Sequence, residues 1–445
     1  MRYTAPPEIM LLDNPILILL LGIGVMLLLM ALHVPIGVAM AISGLTLFAM
    51  LATIPAALGT ISVEIASALS SSDLITIPLF LLMGSLGARA GISSDIYRMA
   101  SQWVGHHRGG LAMATVVGCA GFGALCGSSV ATAATMGRVA LPEMLDRGYK
   151  PSLATGSIAS GGTLGILIPP SIVMVIYAVL TEQFVLDLFV AGILPGLLAM
   201  VLYCLAVVYV TQRDPAAGPA FAPVPMRQRW ASILHTWRGF LVLGAVVAGL
   251  YSGLFTVAES ASMGLGLTMA FFLAHVPRSA WMRELKGIAV ETAQNTGMIF
   301  LMVIGAALFS YFLTITEAPQ ALVTMVEDAH LNPYVVLAVV IVMYILLGAV
   351  FDDIAAMILT TPFVFPMIVG LGFDPIWWGI MMVMVIQIGM IAPPIGINVF
   401  VIGGIARDIP LSTIYRGIMP FFWVDILRLI ILTIFPGIAL YLVHS

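Results

Sequence analysis

Hydroxyl groups and glycines interrupt two apolar stretches in the first half of the chain. One stretch holds Gly127, Ser128 and Ser129, and the other is the range 160–171, which ends in Pro-Pro-Ser. Glycine permits dihedral angles that break a helix and proline removes amide donors, so nearby carbonyl oxygens lose their helical partners. Such oxygens, together with serine hydroxyls, suit a hard cation such as sodium, whereas a helix N-terminus there would attract a carboxylate.

The second half carries a comparable pair of segments, with acidic groups in place of the serines. Asp352 and Asp353 lie between apolar runs, and the range 387–398 reads Gln-Ile-Gly-Met-Ile-Ala-Pro-Pro-Ile-Gly-Ile-Asn. Carboxylates are costly inside a membrane, so at least one is expected to line an aqueous site or to neutralise a cation. Asn398 offers a further side-chain carbonyl. The alternative interpretation is that the small residues in all these segments only let helices approach closely.

The composition places these segments in lipid. Of 445 residues, 61% are hydrophobic and 9% are charged, against about 25% charged in a soluble domain, and the mean hydropathy is +1.12. The chain is therefore predicted to be an all-α polytopic membrane protein with the lipid bilayer around it. It has no basic patch with interleaved aromatic residues, so nucleic acid is not an expected partner. Cys119, Cys126 and Cys204 lack metal-site spacing and are predicted packing residues.

Apolar runs of about 18 residues or more predict the membrane spans. They cover 15–32, 36–55, 74–92, 152–180, 186–211, 239–256, 257–275, 290–313, 375–405 and 418–443. Two more stretches, 110–145 and 333–370, are interrupted by Gly, Ser, Pro or Asp and are predicted to be re-entrant helical hairpins. When the arginine-rich loop 212–238 is placed in the cytoplasm, most other Lys and Arg residues also fall on the cytoplasmic side.

The two halves of the chain are predicted to be an inverted repeat. The Pro-Pro pairs that end at Pro170 and Pro394 lie 224 positions apart, and the same offset relates Pro142 to Pro366. Five predicted crossings separate the two hairpins, so the halves would face opposite sides of the membrane. Inverted repeats with discontinuous helices are the architecture of secondary transporters, whose binding site lies near the bilayer midplane.

This threading divides the chain into six parts. They are N-terminal scaffold spans at 1–73; a first repeat at 74–211 with its hairpin at 110–145 and broken helix at 152–180; a cytoplasmic loop at 212–238; scaffold spans and an arm at 239–289; a second repeat at 290–417 with its hairpin at 333–370 and broken helix at 375–405; and a C-terminal span at 418–445.

Three stretches, 123–149, 162–178 and 388–406, resemble the large membrane subunit of tripartite ATP-independent periplasmic (TRAP) transporters. The resemblance implies a place in the ion transporter superfamily, an elevator-type mechanism, and sodium-driven import of a small organic acid such as a C4-dicarboxylate or a sugar acid. It also implies two partners, a small four-helix membrane subunit and a periplasmic substrate-binding protein. It implies a transporter rather than an enzyme, in the bacterial inner membrane, with sodium ions as the coupling ions.

Carried over residue by residue, the resemblance implies two sodium sites. Ser128, Ser129, Gly161, Gly162 and Gly165 would form the first, and Asp352, Asp353, Gly389, Ala392, Pro393 and Gly396 the second. Ser128, Ser129, Thr163 and Asn398 are the predicted substrate contacts. Family members commonly have Thr where Ala392 stands and Asn where Gln387 stands, so the second site is expected to rely more on backbone carbonyls. No buried arginine is evident as a carboxylate clamp, and Arg138 near the first hairpin is the candidate.

Other functions remain open at this point. A stand-alone sodium/dicarboxylate symporter or a sodium/proton antiporter of the same superfamily would need no partner subunits, and an antiporter could titrate Asp352 or Asp353. A membrane-embedded lipid enzyme is disfavoured because the chain has no HExxH motif and Ala356 breaks a DDxxD pattern. A channel is disfavoured because paired hairpins do not form one continuous pore.

Overall fold

The computed structural model describes residues 15–444, apart from the side chain of residue 327, so the first 14 residues of the predicted unit 1–73 lie outside the described part. The described residues form helices and no strand. The α-helices are α1 Pro15–Ala31, α2 Ile36–Leu51, α3 Ile54–Ser70, α4 Ser72–Arg89, α5 Ile92–Val104, α6 Gly110–Cys126, α7 Ser129–Asp146, α8 Pro151–Thr163, α9 Ile172–Thr181, α10 Val185–Arg213, α11 Met226–His235, α12 Trp237–Tyr251, α13 Val257–His275, α14 Arg278–Thr316, α15 Ala318–Asp328, α16 Pro333–Gly348, α17 Asp353–Gly370, α18 Pro375–Gly389, α19 Ile397–Ile405, α20 Leu411–Ile434 and α21 Gly437–Leu440.

Helices of membrane-spanning length confirm the polytopic prediction. Within the described part, six helices have at least 18 residues and are apolar enough to cross a bilayer, namely α4, α10, α13, α14, α17 and α20. The pair α11 and α12, bent by 54°, makes a possible seventh span. The other predicted spans consist of shorter apolar helices, and two of them are short because the chain breaks inside them.

Both predicted discontinuous helices are broken at the Gly and Pro segments. The first ends as α8 at Thr163, continues through one 3-10 turn at Leu164–Ile166, and resumes as α9 at Ile172. The second ends as α18 at Gly389 and resumes as α19 at Ile397. The two predicted hairpins are also each a pair of helices: α6 and α7 flank residues 127–128, and α16 and α17 flank residues 349–352.

Helix boundaries follow the offset that the prolines suggest. Helix α7 begins at Ser129 and α17 begins at Asp353, and α8 and α18 begin at Pro151 and Pro375; each pair differs by 224 positions. Proline suits the first turn of a helix because its missing N–H would be unpaired there in any case. The opposite orientation of the two halves in the membrane stays a prediction.

Two features of the N-terminal and middle regions were not predicted. Helix α3 lies where the sequence indicated a connection between spans, because Glu64 and several small polar residues lower its hydropathy; Glu64 accepts a 2.9 Å hydrogen bond from Tyr311 on α14. Helix α14 has 39 residues and runs through the predicted boundary at 289/290. Its charged residues reduce hydropathy without breaking the helix, since Arg, Lys and Glu are good helix formers.

Glycines allow the closest helix contacts that hold the broken helices in place. A Cβ atom built on Gly305 of α14 would lie 2.1 Å from the carbonyl oxygen of Gly37 on α2, and one built on Gly417 of α20 would lie 1.8 Å from that of Ser152 on α8. Small residues at such crossings let backbones approach closely, which is how helices associate in lipid. Helix α8, which leads into the first break, is therefore packed closely against helix α20.

Replacing Gly305 with alanine is expected to lower stability by about 1–3 kcal/mol, because the added methyl group must push two backbones apart. Gly297→Ala on the same helix is the matched control, since a Cβ there meets no atom within 4 Å. The measurement is the apparent melting temperature of each purified variant in one detergent. Equal melting temperatures for the two variants would contradict the close packing of α2 on α14.

Candidate substrate and ion site

The first helix break lies against the tip of the first hairpin. A Cβ built on Gly165 would lie 2.8 Å from the carbonyl oxygen of Ser128 and 2.5 Å from Thr132 Oγ1, so only glycine fits there. The Ile172 amide at the start of α9 donates to the Gly127 carbonyl at 3.4 Å. The structure thus brings Ser128 and Gly165 together, as the sequence predicted. Ser128 also caps α7, because its hydroxyl accepts a 3.4 Å bond from the Ala131 amide.

The second helix break meets the tip of the second hairpin in the same manner. The Gly396 amide donates to the Ala349 carbonyl at 3.1 Å, and Gly396 has a φ of 60°, which favours glycine. A Cβ on Gly389 would lie 2.6 Å from the Gly348 backbone. Asp353 is 6% exposed, and its Oδ1 accepts a 2.9 Å bond from the Ile354 amide. Asp352 precedes it at the N-cap position of α17.

Some carbonyls that the breaks release already have partners. Ser171 donates its hydroxyl proton to the Ile166 carbonyl at 2.6 Å. In the second break, the Tyr415 hydroxyl on α20 lies 2.9 Å from the Pro394 carbonyl and 2.5 Å from the Ile395 carbonyl. These oxygens are therefore poorer candidates for an ion than the sequence alone suggested, and Pro393 itself is exposed.

Asn398 joins the two halves of the chain. Its Nδ2 donates to Ser129 Oγ at 2.7 Å and to the Ala159 carbonyl at 3.1 Å, so the start of α19 is tied to α7 and α8. The side chain is fully buried, and among residues 15–444 its Oδ1 has no hydrogen-bond partner. A buried amide oxygen without a donor is costly. This oxygen is thus available to a cation or to a donor on a bound molecule.

A second buried hydrogen bond joins the C-terminal ends of α8 and α18, the first segments of the two broken helices. Gln387 near the end of α18 donates from Nε2 to Thr163 Oγ1 at the end of α8, at 2.7 Å. Its other amide atom, Oε1, accepts a 2.9 Å bond from Arg428 Nη2. Thr163 in turn donates to the Ser160 carbonyl at 2.6 Å. Its Oγ1 also lies 3.4 Å from the Tyr203 hydroxyl, so Thr163, predicted to contact substrate, already has three partners.

Arg428 is the functional candidate that the sequence analysis missed. It is fully buried on α20, Asp425 Oδ1 lies 2.9 Å from its Nη2, and Asp425 Oδ2 accepts a 2.6 Å bond from the Tyr203 hydroxyl. Its Nε and Nη1 atoms lack hydrogen-bond partners in the described part of the chain. The signal in the sequence was a pair of opposite charges three positions apart inside an apolar span. Arg138, the predicted clamp, is instead exposed on α7.

The remaining predicted ligands serve packing. A Cβ on Gly162 would lie 2.6 Å from the Ala133 Cβ on α7, and one on Gly161 would lie 3.1 Å from the Cys119 sulfur on α6. Both glycines thus let α8 approach the first hairpin. Ala392 is 3% exposed, and its amide donates to the Gly389 carbonyl at 3.0 Å. No oxygen from its side chain is available, so any ion here would be held by backbone and by the hairpin.

Comparisons with known proteins agree with this architecture. Residues 23–438 match the family model described as the DctM component of the tripartite ATP-independent periplasmic transporter. The chain is 37% identical to the C4-dicarboxylate TRAP transporter large permease protein DctM of Pseudomonas aeruginosa, over 82% of this chain and 85% of that protein. It is 31% identical to the ectoine/5-hydroxyectoine TRAP transporter large permease protein UehC of Ruegeria pomeroyi, over 83% and 86%.

One solved structure supports the fold. The YdaH transporter of Alcanivorax borkumensis aligns with a TM-score of 0.60 and 14% identity, over 88% of this chain and 90% of that one. At this identity the likeness concerns the fold alone. It supports the all-helical fold class of the chain.

Removing one member of the buried ion pair is expected to cost about 3–5 kcal/mol, because the other charge is left unpaired in the interior. Arg428→Met leaves Asp425 in that state, whereas Asp425→Asn combined with Arg428→Met removes both charges and is expected to recover most of the loss. Arg416→Met, on the exposed face of the same helix, is the control. The apparent melting temperatures of the unmodified chain and of the three variants are compared. A double variant as unstable as the single one would exclude the pairing.

Proposed function

We propose a transport reaction for this chain, which belongs to the DctM component family of tripartite ATP-independent periplasmic (TRAP) transporters. The chain is a membrane-spanning large permease protein, and it is a transporter rather than an enzyme. The proposed reaction is the import of a small organic acid, coupled to the entry of sodium ions. The observation that carries it is the pair of hairpin tips, each bonded through its backbone to a break in an apolar helix.

Sodium is proposed because the breaks combine oxygen atoms with a buried carboxylate. Asp353 is almost fully buried, and no ion pair among the described residues includes it or Asp352. A carboxylate in such a place is stabilised by a bound cation. Ser128 and the backbone around Gly165 supply neutral oxygens for a second ion. Each sodium ion that enters contributes roughly 2.3 kcal/mol per 100 mV of membrane potential.

A C4-dicarboxylate is the proposed substrate. The relative from Pseudomonas aeruginosa is named for that class of substrate and is more similar to this chain than the one named for ectoine. The proposed contacts are Asn398 and Ser129, which are hydrogen-bonded where the first hairpin reaches α19, and the adjacent Ser128. Thr163 is a weaker candidate contact because its hydroxyl is occupied by Gln387 and Ser160.

Elevator movement, partner subunits and location complete the proposal. The hairpins and broken helices would move as a body against the remaining helices, with sodium sites closed by the hairpin tips. A periplasmic substrate-binding protein would deliver the acid, and a small membrane subunit would cover part of the apolar surface, for example around Leu28 and Leu58, which are 61% and 62% exposed. The complex would lie in the bacterial inner membrane.

Reconstituted liposomes test the function directly. The permease is inserted alone, with its small membrane subunit, and with that subunit plus a matching binding protein, and uptake of radiolabelled succinate is measured with and without an inward sodium gradient. Uptake that needs all three proteins and sodium is the expected result. Sodium-driven uptake by the permease alone would indicate a stand-alone symporter. Proton release that follows sodium entry without succinate would indicate an antiporter.

Changing Asp353 to asparagine is expected to raise the sodium concentration for half-maximal uptake about tenfold or more, because one charge-assisted ligand is lost while shape is kept. Ser128→Ala is expected to act in the same direction with a smaller effect, since a neutral ligand is removed. Asp408→Asn, an exposed aspartate between α19 and α20, is the control. Sodium dependence like that of the unmodified chain in both site variants would overturn the assignment of the ion sites.

A further inference from the structure

A cleft lined by three arginines lies outside the site described above. It has a volume of about 670 Å³ and is formed by α5, α7 and the segment that leads into α11. The arginines are Arg98 on α5, Arg138 on α7 and Arg147 just after α7. A smaller cavity of about 350 Å³ shares Arg98, Gln102 and Gln228 with it, so the two form one continuous cleft.

Two of these positive charges are not neutralised by the protein. Arg147 pairs with Glu143 at 2.8 Å. Arg98 and Arg138 are both exposed, and no ion pair involving either is found between residues 15 and 444. Glu143 is the one carboxylate that lines the larger cavity. The cleft therefore carries an excess of two positive charges on facing helices.

Neutral polar groups surround the two arginines. Ser94, Ser101 and Gln102 line the cavity, and so does Tyr97. Tyr97 is 2% exposed, and Glu143, the acid that pairs with Arg147, lies beside its hydroxyl. The serine hydroxyls and the Gln102 amide are neutral donors that could also bind an anion held between Arg98 and Arg138.

We propose that this cleft is a binding site for a small soluble dicarboxylate, separate from the transport site. Guanidinium groups bind carboxylates with two parallel hydrogen bonds, and two arginines on different helices match two carboxylates better than one phosphate group. Of the described residues that line the larger cavity, only Val139 and Val224 are aliphatic, which leaves little surface there for the acyl chain of a lipid. The volume lies in the range of small-molecule sites.

The position of the cleft indicates the side of the membrane from which the ligand would come. It joins α7, an arm of the first hairpin, to α5 and the segment before α11. On the predicted topology these elements face the cytoplasm, so the ligand would come from the compartment that receives the product. The inference goes beyond the proposed function, because it requires neither sodium nor transport.

Cysteine labelling tests the site without any transport measurement. Ser101→Cys places a thiol in the cleft. The unmodified chain is the background control: its Cys119 and Cys126 are buried, and any labelling of the partly exposed Cys204 is subtracted. The purified permease is placed in nanodiscs of zwitterionic lipid without sodium, and the rate of reaction with a charged maleimide is measured against succinate at constant ionic strength. Succinate is expected to slow labelling of the variant.

Charge variants decide where the protection arises. With Arg98→Gln and Arg138→Gln added, the succinate concentration for half protection is expected to rise about tenfold or more. Arg108→Gln, an exposed arginine nearby that does not line the cleft, is expected to leave it unchanged. Three outcomes would overturn the proposal: no protection by succinate, equal protection in the double variant, or protection that requires anionic phospholipid or is given equally by inorganic phosphate.

Discussion

Breaking a helix inside an apolar protein releases backbone groups that must find partners, and this constraint organises the structure. Water is not available to an amide or carbonyl at membrane depth, so each broken turn has to be closed by another part of the protein. The Gly127 carbonyl receives the Ile172 amide, and the Ala349 carbonyl receives the Gly396 amide. The hairpins are thus needed by the breaks as well as positioned by them. This mutual dependence explains why hairpin and broken helix occur together in both halves.

Side chains complete this closure, and they come from elements outside the hairpins. Tyr415 and Arg428, both on α20, reach the second break and the end of α18 respectively. Helix α20 therefore belongs to the site, although it carries none of the predicted ligands. Helix α20 packs closely against α8 at Gly417, and this contact holds α20 beside the broken helices that its long side chains reach. The same helix thus provides a close packing contact and the side chains that bond to the polar groups of the breaks.

Sequence predicted the breaks, the hairpins and the helical class, because glycine and proline act locally and hydropathy is additive. It did not predict helix α3, whose mixture of apolar and small polar residues resembles a connection until Tyr311 is known to meet Glu64. Arg428 was missed for a related reason. A long arginine side chain can extend along an apolar helix toward the membrane surface, and only the tertiary arrangement shows that Arg428 instead contacts Asp425 and Gln387 in the interior. The groups that a buried polar side chain contacts depend on which helices pack together.

The hydrogen bond between Gln387 and Thr163 joins equivalent positions of the two halves of the chain. The two residues stand 224 positions apart, the same separation that relates the starts of α7 and α17. In the predicted inverted repeat, a position that touches its own counterpart would lie on the two-fold axis that relates the halves. Two identical side chains meeting there would have equivalent roles, so neither could be only the donor or only the acceptor of the hydrogen bond. A threonine facing a glutamine divides those tasks, and it leaves the glutamine's second amide atom for Arg428. At this pair of equivalent positions the two halves are complementary rather than alike.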